Sequence, residues 1–419
     1  MIVIMTLSEE LKWRGFINQT TISNLQILDE KKLKFYHGYD ASVDSLTIGN
    51  LAAIMMDKVF IRHGWQPVIL SGGATSLIGD PGGKDSERPM QSVDQVTHNV
   101  DSVTKQIAKL FGSEIEFVNN LDWFSNMNVL EFLRDVGKHF SMTPLTQRDY
   151  IAKRLGDGGS GISYTEFSYT LLQGYDFLYL YKNYGVVLQL AGSDQWGNSL
   201  SGVDLVRRVE GAEVNVLTCP LIINKATGKK FGKSEAGAVW LDSERTSIYQ
   251  LYQFWLNVDD EGVEDYLKIY TELTKEQIDE IIQKFSNDKS KRLAQKTLAY
   301  EVTKLVHGKD SADAVVRVTD VLFGSSDYSL LKSEDFVVLK TELPLISTNS
   351  NSLISKSLVE NGFIQSNSEV RRQIQQKSLY INGVSLSEDR PWNSADFIDG
   401  HHAIIRRGKN HNAIVQLDQ

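Results

Sequence analysis

Residues 8–15 place apolar side chains at helical spacing and end at Gly15, which predicts an amphipathic helix. Residues 34–39 are rich in β-forming side chains and run into Asp40, which predicts a strand. Helical spacing takes over from about 48 to 62, with Gly64 as the stop. A short apolar run at 67–70 then enters Gly72-Gly73-Ala74-Thr75. Strand, helix, strand in that order, with glycines at the strand ends, predicts a βαβ unit and a parallel sheet. The pattern returns later as an apolar strand at 186–190, then Gly192-Ser193-Asp194-Gln195, then a helix through Val206. Two such halves predict an α/β fold on a Rossmann-like, doubly wound parallel sheet. From 246 to 322 the spacing is helical, with few strand signals. A Ser- and Asn-rich stretch at 343–356 predicts a linker, and the chain beyond it reads as a small α+β module. The expected division is a sheet domain over 1–245, a helical domain over 246–330, a linker over 331–352 and a terminal module over 353–419.

Composition works mostly by exclusion. The chain has 419 residues, room for two or three domains, and its 41% apolar and 23% charged content is ordinary for a soluble protein. No apolar run approaches the ~18 residues of a membrane span. Met1 to Met5 is apolar but short and lacks a basic flank, so no signal peptide is expected. A lone cysteine, Cys219, makes neither an internal disulfide nor a cysteine-based zinc site, and a reducing cytoplasm is the simple reading. The net charge of −9 argues against a protein that coats nucleic acid indiscriminately. From 351 to 419, however, eight Lys and Arg oppose seven Asp and Glu, leaving about −10 for the rest. An acidic body with a less acidic tail can still hold RNA through local basic patches.

Two short motifs carry candidate chemistry. Tyr39-Asp40-Ala41-Ser42-Val43-Asp44-Ser45-Leu46-Thr47-Ile48-Gly49-Asn50-Leu51 lies between a predicted strand and a predicted helix. A helix N-terminus attracts anions through its free N–H groups and dipole, and small residues let phosphate approach. An ordinary capped helix explains the same residues. Lys229-Lys230-Phe231-Gly232-Lys233-Ser234 holds Lys230 and Lys233 around a glycine. Such a loop can neutralise a departing pyrophosphate, or it can be a solvated basic turn. A third pattern is Tyr169, Gln173 and Asp176 at i, i+4 and i+7, which puts phenol, amide and carboxylate on one helix face. That is a poor stripe for an apolar core, although a buried polar network would also account for it.

The order and spacing of the two motifs resemble the class I aminoacyl-tRNA synthetases, whose signatures read H-I-G-H and K-M-S-K-S. The runs between and just after them resemble the bacterial tyrosyl branch: Gly72-Gly73-Ala74-Thr75, Ile78-Gly79-Asp80-Pro81, Ile162-Ser163-Tyr164-Thr165-Glu166-Phe167-Ser168-Tyr169, Leu172-Gln173-Gly174-Tyr175-Asp176-Phe177, Gly192-Ser193-Asp194-Gln195-Trp196-Gly197-Asn198 and Gly237-Ala238-Val239-Trp240-Leu241-Asp242. The resemblance implies a tyrosine–tRNA ligase that uses ATP with Mg2+, holds no tightly bound metal and takes L-tyrosine and tRNA(Tyr). It also implies a homodimer with no membrane association, its dimer contact in the insertion between the sheet halves. It implies that Tyr36 and Asp176 bond the substrate phenol, that Tyr169, Gln173 and Asp80 hold its ammonium, and that Gln195 lies near its carboxylate. A site built to pair a hydroxyl rejects phenylalanine, because its own polar groups would be stranded; tyrosyl enzymes are the general example of that principle. On the nucleotide side the resemblance implies Asp40, Gly192 and Asp194 along ATP and its ribose, with Ser42, Thr47, Gly49 and Asn50 facing the phosphates. Lys84, Arg88, Lys230, Lys233 and Ser234 would stabilise the leaving pyrophosphate.

The first signature departs from the family, reading Thr-Ile-Gly-Asn at 47–50. Asn50 can donate roughly where a ring nitrogen would, whereas the Thr47 hydroxyl is shorter. His37, three residues before Asp40, is a candidate replacement. The departure also keeps open a non-catalytic RNA-binding relative, and the shared fold keeps open the sister tryptophan enzyme. Towards the tail, Lys289, Lys291, Arg292, Lys296 and Lys304 fall in a predicted helical stretch, either a solvated face or an anticodon-side surface. Ser368-Glu369-Val370-Arg371-Arg372 through Lys377 to Tyr380-Ile381-Asn382-Gly383-Val384 resembles a small RNA-binding module shared with a ribosomal protein. Its helix would offer Arg371, Arg372 and Lys377 to phosphates, and Asn382-Gly383 would make a tight turn between strands.

Overall fold

The computed structural model describes residues 5–80, 82, 89–112, 115–147, 149–225, 227–228, 231–234, 237–323, 327–408 and 411–418. They pack as two compact units, Met1–Asp242 with Val258–Leu298, and Ser243–Asn257 with Ala299–Gln419.

The first unit is built on a six-stranded sheet of β1 (Gln19–Thr20), β2 (Lys34–Tyr39), β3 (Gln66–Ser71), β4 (Glu116–Asn119), β5 (Val186–Gly192) and β6 (Asn215–Cys219). Their order is β1-β6-β5-β2-β3-β4, with every pairing parallel except β1 with β6. Side chains alternate across β2. Tyr36 therefore packs edge-on against Phe177 of the helix Tyr164–Tyr184, while His37 meets Asp57 of the helix Ile48–Arg62 on the other face. That gives the doubly wound arrangement expected from the two sequence halves. Local signals fix the helix ends. Ser163 caps Tyr164–Tyr184 by accepting from the Glu166 N–H, and Gly185 closes it at φ +70. Gly15 does the same at φ +80 for Leu7–Arg14.

Residues 258–298 group with this sheet rather than with the helices that follow. Arg14, buried against Glu10, donates to the carbonyls of Lys268, Thr271 and Leu273, and Phe231 stacks on Tyr266 with ring centroids 4.4 Å apart. These contacts tie the helix Val263–Tyr270 to the sheet unit. The hairpin β7 (Lys233–Ser234) and β8 (Gly237–Ala238) completes the unit's strands.

In the second unit, β9 (Leu345–Thr348), β10 (Leu379–Ile381), β11 (Val384–Ser385), β12 (His402–Arg407) and β13 (His411–Leu417) form a sheet of order β11-β10-β12-β13-β9. Its core includes Ile346, Leu358, Val370, Trp392, Ile405 and Val415. Residues 335–348 thus hold a helix, Asp335–Glu342, and an edge strand where composition predicted a linker. Burial alternates along β9, with Ile346 and Thr348 inside and Leu345 and Ser347 outside. Four residues with a half-polar face give too short a pattern to register as a strand.

Candidate active site

A cleft of about 520 Å³ opens at the carboxyl ends of β2, β3, β5 and β6, where Tyr39, Asp40, Gly72, Gly192 and Cys219 reach its wall. The strand order runs outward from β2 through β3 on one side and from β5 through β6 on the other. The cleft therefore occupies the topological switch point, where an open α/β sheet leaves room for a ligand. Gly72 is required there, because an added Cβ would lie 2.5 Å from Asp40 Oδ1.

One end of the cleft is buried and polar. Asp176 is 1% exposed, and it accepts from Asn120 Nδ2 at 3.1 Å and from Trp123 Nε1 at 3.0 Å. Burial pushes its carboxyl up to about 7; the two hydrogen bonds work against that rise, and the charge on Asp40 adds to it. Tyr36 is fully buried, and its phenol rises well above the ordinary value, first by burial and then by the charge of Asp176. Its hydroxyl has no hydrogen-bond partner among the described residues, and neither do Gln173 Oε1 and Gln189 Oε1. Tyr36 and Gln189 sit side by side in the sheet register, and all three residues line the cleft. Three buried polar atoms converging without partners are costly unless a ligand supplies the missing bonds.

A second cluster fixes the carboxylates midway along the cleft. Tyr169 donates to Asp40 Oδ2 at 2.8 Å, and Thr75 donates to Asp40 Oδ1 at 3.0 Å. Burial, then Asp40 and Asp80, drive the Tyr169 phenol well up, so it stays a donor. Gln195 Nε2 donates to Asp80 Oδ2 at 2.7 Å and is itself held through Oε1 by Asn198. The Gly82 N–H donates to Asp80 Oδ1 at 2.9 Å.

The two signature segments, distant in sequence, meet here. Ile48 N–H donates to the Val239 carbonyl at 3.1 Å, Leu241 N–H donates to the Leu46 carbonyl at 2.8 Å, and Thr47 bridges Trp240. The β7–β8 hairpin is thereby anchored beside the N-terminus of Ile48–Arg62. Asn50 Oδ1 accepts from both the Thr47 N–H, at 3.0 Å, and the Thr47 hydroxyl, at 2.8 Å. The hydroxyl proton of Thr47 is therefore engaged within the cap. That pairing uses the Asn50 oxygen and not its amide nitrogen, which makes the amide the candidate side-chain donor at this helix end. Ser42, Thr47, Gly49, Asn50 and Asp194 all line the cleft. Lys84, Arg88 and Lys230 lie outside the described residues, and Lys233 and Ser234 are described as backbone in β7. Among the described residues lining the cleft there are four aspartates, Asp40, Asp80, Asp176 and Asp194, and no Lys or Arg. No group of three or more His, Cys, Asp or Glu side chains that could hold a metal occurs among the described residues.

Sequence reasoning missed Asn120, Trp123 and Gln189 as parts of this site. The first two follow β4 and reach Asp176 across more than fifty residues, with no local signal to mark them. Thr75 and Asn198 stood inside matched runs but without a role.

On the second unit, Arg371 and Arg372 lie exposed on the helix Asn367–Gln375. Lys377 is exposed but not on that helix, because the chain has already turned left-handed there, at φ +52. Asn382 and Gly383 both have positive φ between β10 and β11, which is the tight turn expected of that pair. The basic stretch at 289–304, which lies across the two units, is not one helix: a short turn at Lys289–Lys291 ends with Arg292 at φ +50 before Leu293–His307 begins.

Residues 28–324 match the model of the family described as tRNA synthetases class I (W and Y), and residues 335–415 match the tyrosine–tRNA ligase SYY-like C-terminal domain. The chain is 44% identical to tyrosine–tRNA ligase 2 of Bacillus cereus (strain ZK / E33L), over 99% of this chain and 100% of that one. It is 42% identical to the tyrosine–tRNA ligase of Limosilactobacillus reuteri, over 99% and 100%. Among solved structures, a C-terminally truncated mitochondrial tyrosyl-tRNA synthetase of Aspergillus nidulans matches at 31% identity with a TM-score of 0.69, covering 76% of this chain and 95% of that one.

Proposed function

The chain belongs to the tyrosyl-tRNA synthetase family of class I, and from that premise we propose how its cleft carries out the reaction. Its activity is that of a tyrosine–tRNA ligase. Tyrosine and ATP give tyrosyl-adenylate and pyrophosphate, and the tyrosyl group then passes to the 3′-terminal ribose of tRNA(Tyr).

One observation carries the assignment of the substrate end: the unpartnered, buried Tyr36 hydroxyl close to the buried Asp176. A substrate phenol entering there donates to the Asp176 carboxylate and bonds the Tyr36 hydroxyl. The substrate ammonium lies against Tyr169, Gln173 and Asp80, and its carboxylate near Gln195. That carboxylate attacks the α-phosphate of ATP in line, so the protein needs no covalent nucleophile and acts by positioning and charge stabilisation. Asp40, Gly192 and Asp194 run along the nucleotide, and Ser42, Gly49 and the Asn50 amide face its phosphates. Four carboxylates without a basic side chain among the described lining would repel ATP. The positive charge is then supplied by magnesium arriving as the ATP complex, and by Lys84, Arg88, Lys230 and Lys233, with Ser234 beside the leaving pyrophosphate.

The exposed apolar side chains Val129, Leu130, Leu133 and Met142, on the insertion between β4 and β5, support a homodimer closed through that face. Arg371, Arg372 and Lys377 form the RNA-facing surface of a terminal module over 353–419. The setting is cytoplasmic; among the described residues no helix is long and apolar enough to cross a membrane. The testing experiment is ATP–pyrophosphate exchange dependent on tyrosine. Exchange by the parent protein that collapses in Lys233→Ala is expected. Undiminished exchange in that variant would remove the lysine from the leaving-group role.

A further inference from the structure

The face of β2 opposite Tyr36 carries a polar trio that the reaction scheme above does not use. His37 Nδ1 lies 2.8 Å from Asp57 Oδ1, and the Tyr39 hydroxyl donates to Asp57 Oδ2 at 2.6 Å. The His37 and Tyr39 rings stack with centroids 4.5 Å apart, which fixes the tilt of the imidazole. Asp57 is 0% exposed, in the interior of Ile48–Arg62, and has no Lys or Arg partner among the described residues. A carboxylate buried for packing alone is a poor choice, since apolar side chains of similar volume do as well or better. Its effect here is to set the imidazole: with Nδ1 turned to Asp57, the ring nitrogen left over is Nε2. His37 lines the cleft, and its contacts with Asp57 and with the Tyr39 hydroxyl, 3.3 Å away, are both made through Nδ1.

Which substrate it meets follows from the alternation along the strand. Tyr36 faces the helix carrying Gln173 and Asp176, so that side of β2 belongs to the phenol. His37 faces the other way, towards Ile48–Arg62, whose N-terminus holds Thr47, Gly49 and Asn50. We propose that His37 is a nucleotide-binding residue that hydrogen-bonds ATP through Nε2, with Asp57 and Tyr39 as the positioning residues that aim it. The trio gives a chain without signature histidines an imidazole in the same cleft, held from below rather than from the helix cap. This inference rests on the reading of the cleft as the tyrosine- and ATP-binding site.

The test is exchange kinetics with ATP and tyrosine varied separately, on the parent, His37→Asn, His37→Gln and Asp57→Asn. Tyrosine-dependent exchange by the parent upholds the reading of the cleft, whatever the variants do. An asparagine amide can reach Asp57 in place of Nδ1 but not the cleft, whereas glutamine reaches towards the Nε2 position. His37→Asn and Asp57→Asn are expected to raise KM for ATP about tenfold and to leave KM for tyrosine within about twofold, with His37→Gln nearer the parent for ATP. A parental KM for ATP in His37→Asn, or equal rises for both substrates, would overturn the proposal and make the trio a packing device. Asp57→Asn keeps the side-chain volume, so it reports on aim even where a histidine variant folds poorly.

Discussion

Asp176 should make the protein less stable as it makes it specific. Its carboxyl is fully buried and titrates at about 7 instead of 3.8. A carboxylate whose folded value is raised takes up protons on folding, so its contribution to stability falls as pH rises from about 4 through 7. Taking 3.8 for the unfolded chain and about 7 for the folded one, ionisation of Asp176 opposes folding by ~4 kcal/mol at pH 8 and ~2 kcal/mol at pH 5. Asp176→Asn removes that cost. It also leaves one of two donors facing an NH2 group, because Asn120 and Trp123 both donate and Asn120 is held in orientation by Ala74 N–H on its own Oδ1. An unpaired buried donor costs about 1–3 kcal/mol, independent of pH.

The variant should therefore be more stable than the parent by ~1–3 kcal/mol at pH 8 and near parity at pH 5. The swing of ~2–3 kcal/mol between those conditions is the diagnostic quantity, since the lost hydrogen bond cancels from it. Urea denaturation of both proteins across that range measures it. A difference that stays flat with pH would refute the claim that Asp176 ionises in a buried site, and with it the argument for why the pocket needs a hydroxyl-bearing ligand.

KM for tyrosine should rise as pH falls below about 7, towards about tenfold per unit, because protonation removes the charged acceptor for the phenol; exchange rates at low tyrosine across pH check this. Thr47→Ala should lower exchange only a few-fold, since its hydroxyl is already engaged with Asn50, whereas Asn50→Ala should cost about 100-fold, the scale for losing a transition-state donor. The reverse order would place the phosphate donor on Thr47. Leu130→Asp, at a side chain 73% exposed, should convert a dimer to monomers in sedimentation at unchanged helix content; a variant that still sediments as a dimer would move the interface elsewhere.

What could be read from sequence was what neighbours decide. Tyr169, Gln173 and Asp176 share a face because helical periodicity is local, the strand at 34–39 announced itself by its β-forming side chains, and the one predicted at 186–190 by its apolar run and the glycine after it, although it extends to Gly192. Asn120 and Trp123 could not be read, because their meaning lies in a carboxylate on a distant helix. His37 was visible as a histidine near the first signature, but the carboxylate that orients it is twenty residues away on another element. Lys377 misled for the opposite reason: it sits in register with a helix that stops two residues earlier. The Thr47–Asn50 pairing lay within four residues and was still missed, because a departure from a signature invites comparison with the family before comparison with itself.

Two of the cleft carboxylates, Asp176 and Asp80, are held in the same way. Asp176 is held by an amide and an indole, and Asp80 by an amide and a backbone N–H. These donors carry no formal charge. They fix each carboxylate in position without cancelling its field, which a lysine or arginine partner would do. A floor built this way attracts the ammonium of an amino acid and repels a polyphosphate. Both substrates must nevertheless lie in one cleft, within reach of an in-line attack. The conflict is resolved if positive charge is kept out of the floor and brought up along the phosphates, by the metal that accompanies ATP and by the basic residues at 84–88 and 230–233. On that reading the negative floor and the basic residues proposed for the phosphates are two halves of one electrostatic arrangement, and neutralising either half should change the affinity for one substrate in the direction opposite to the other.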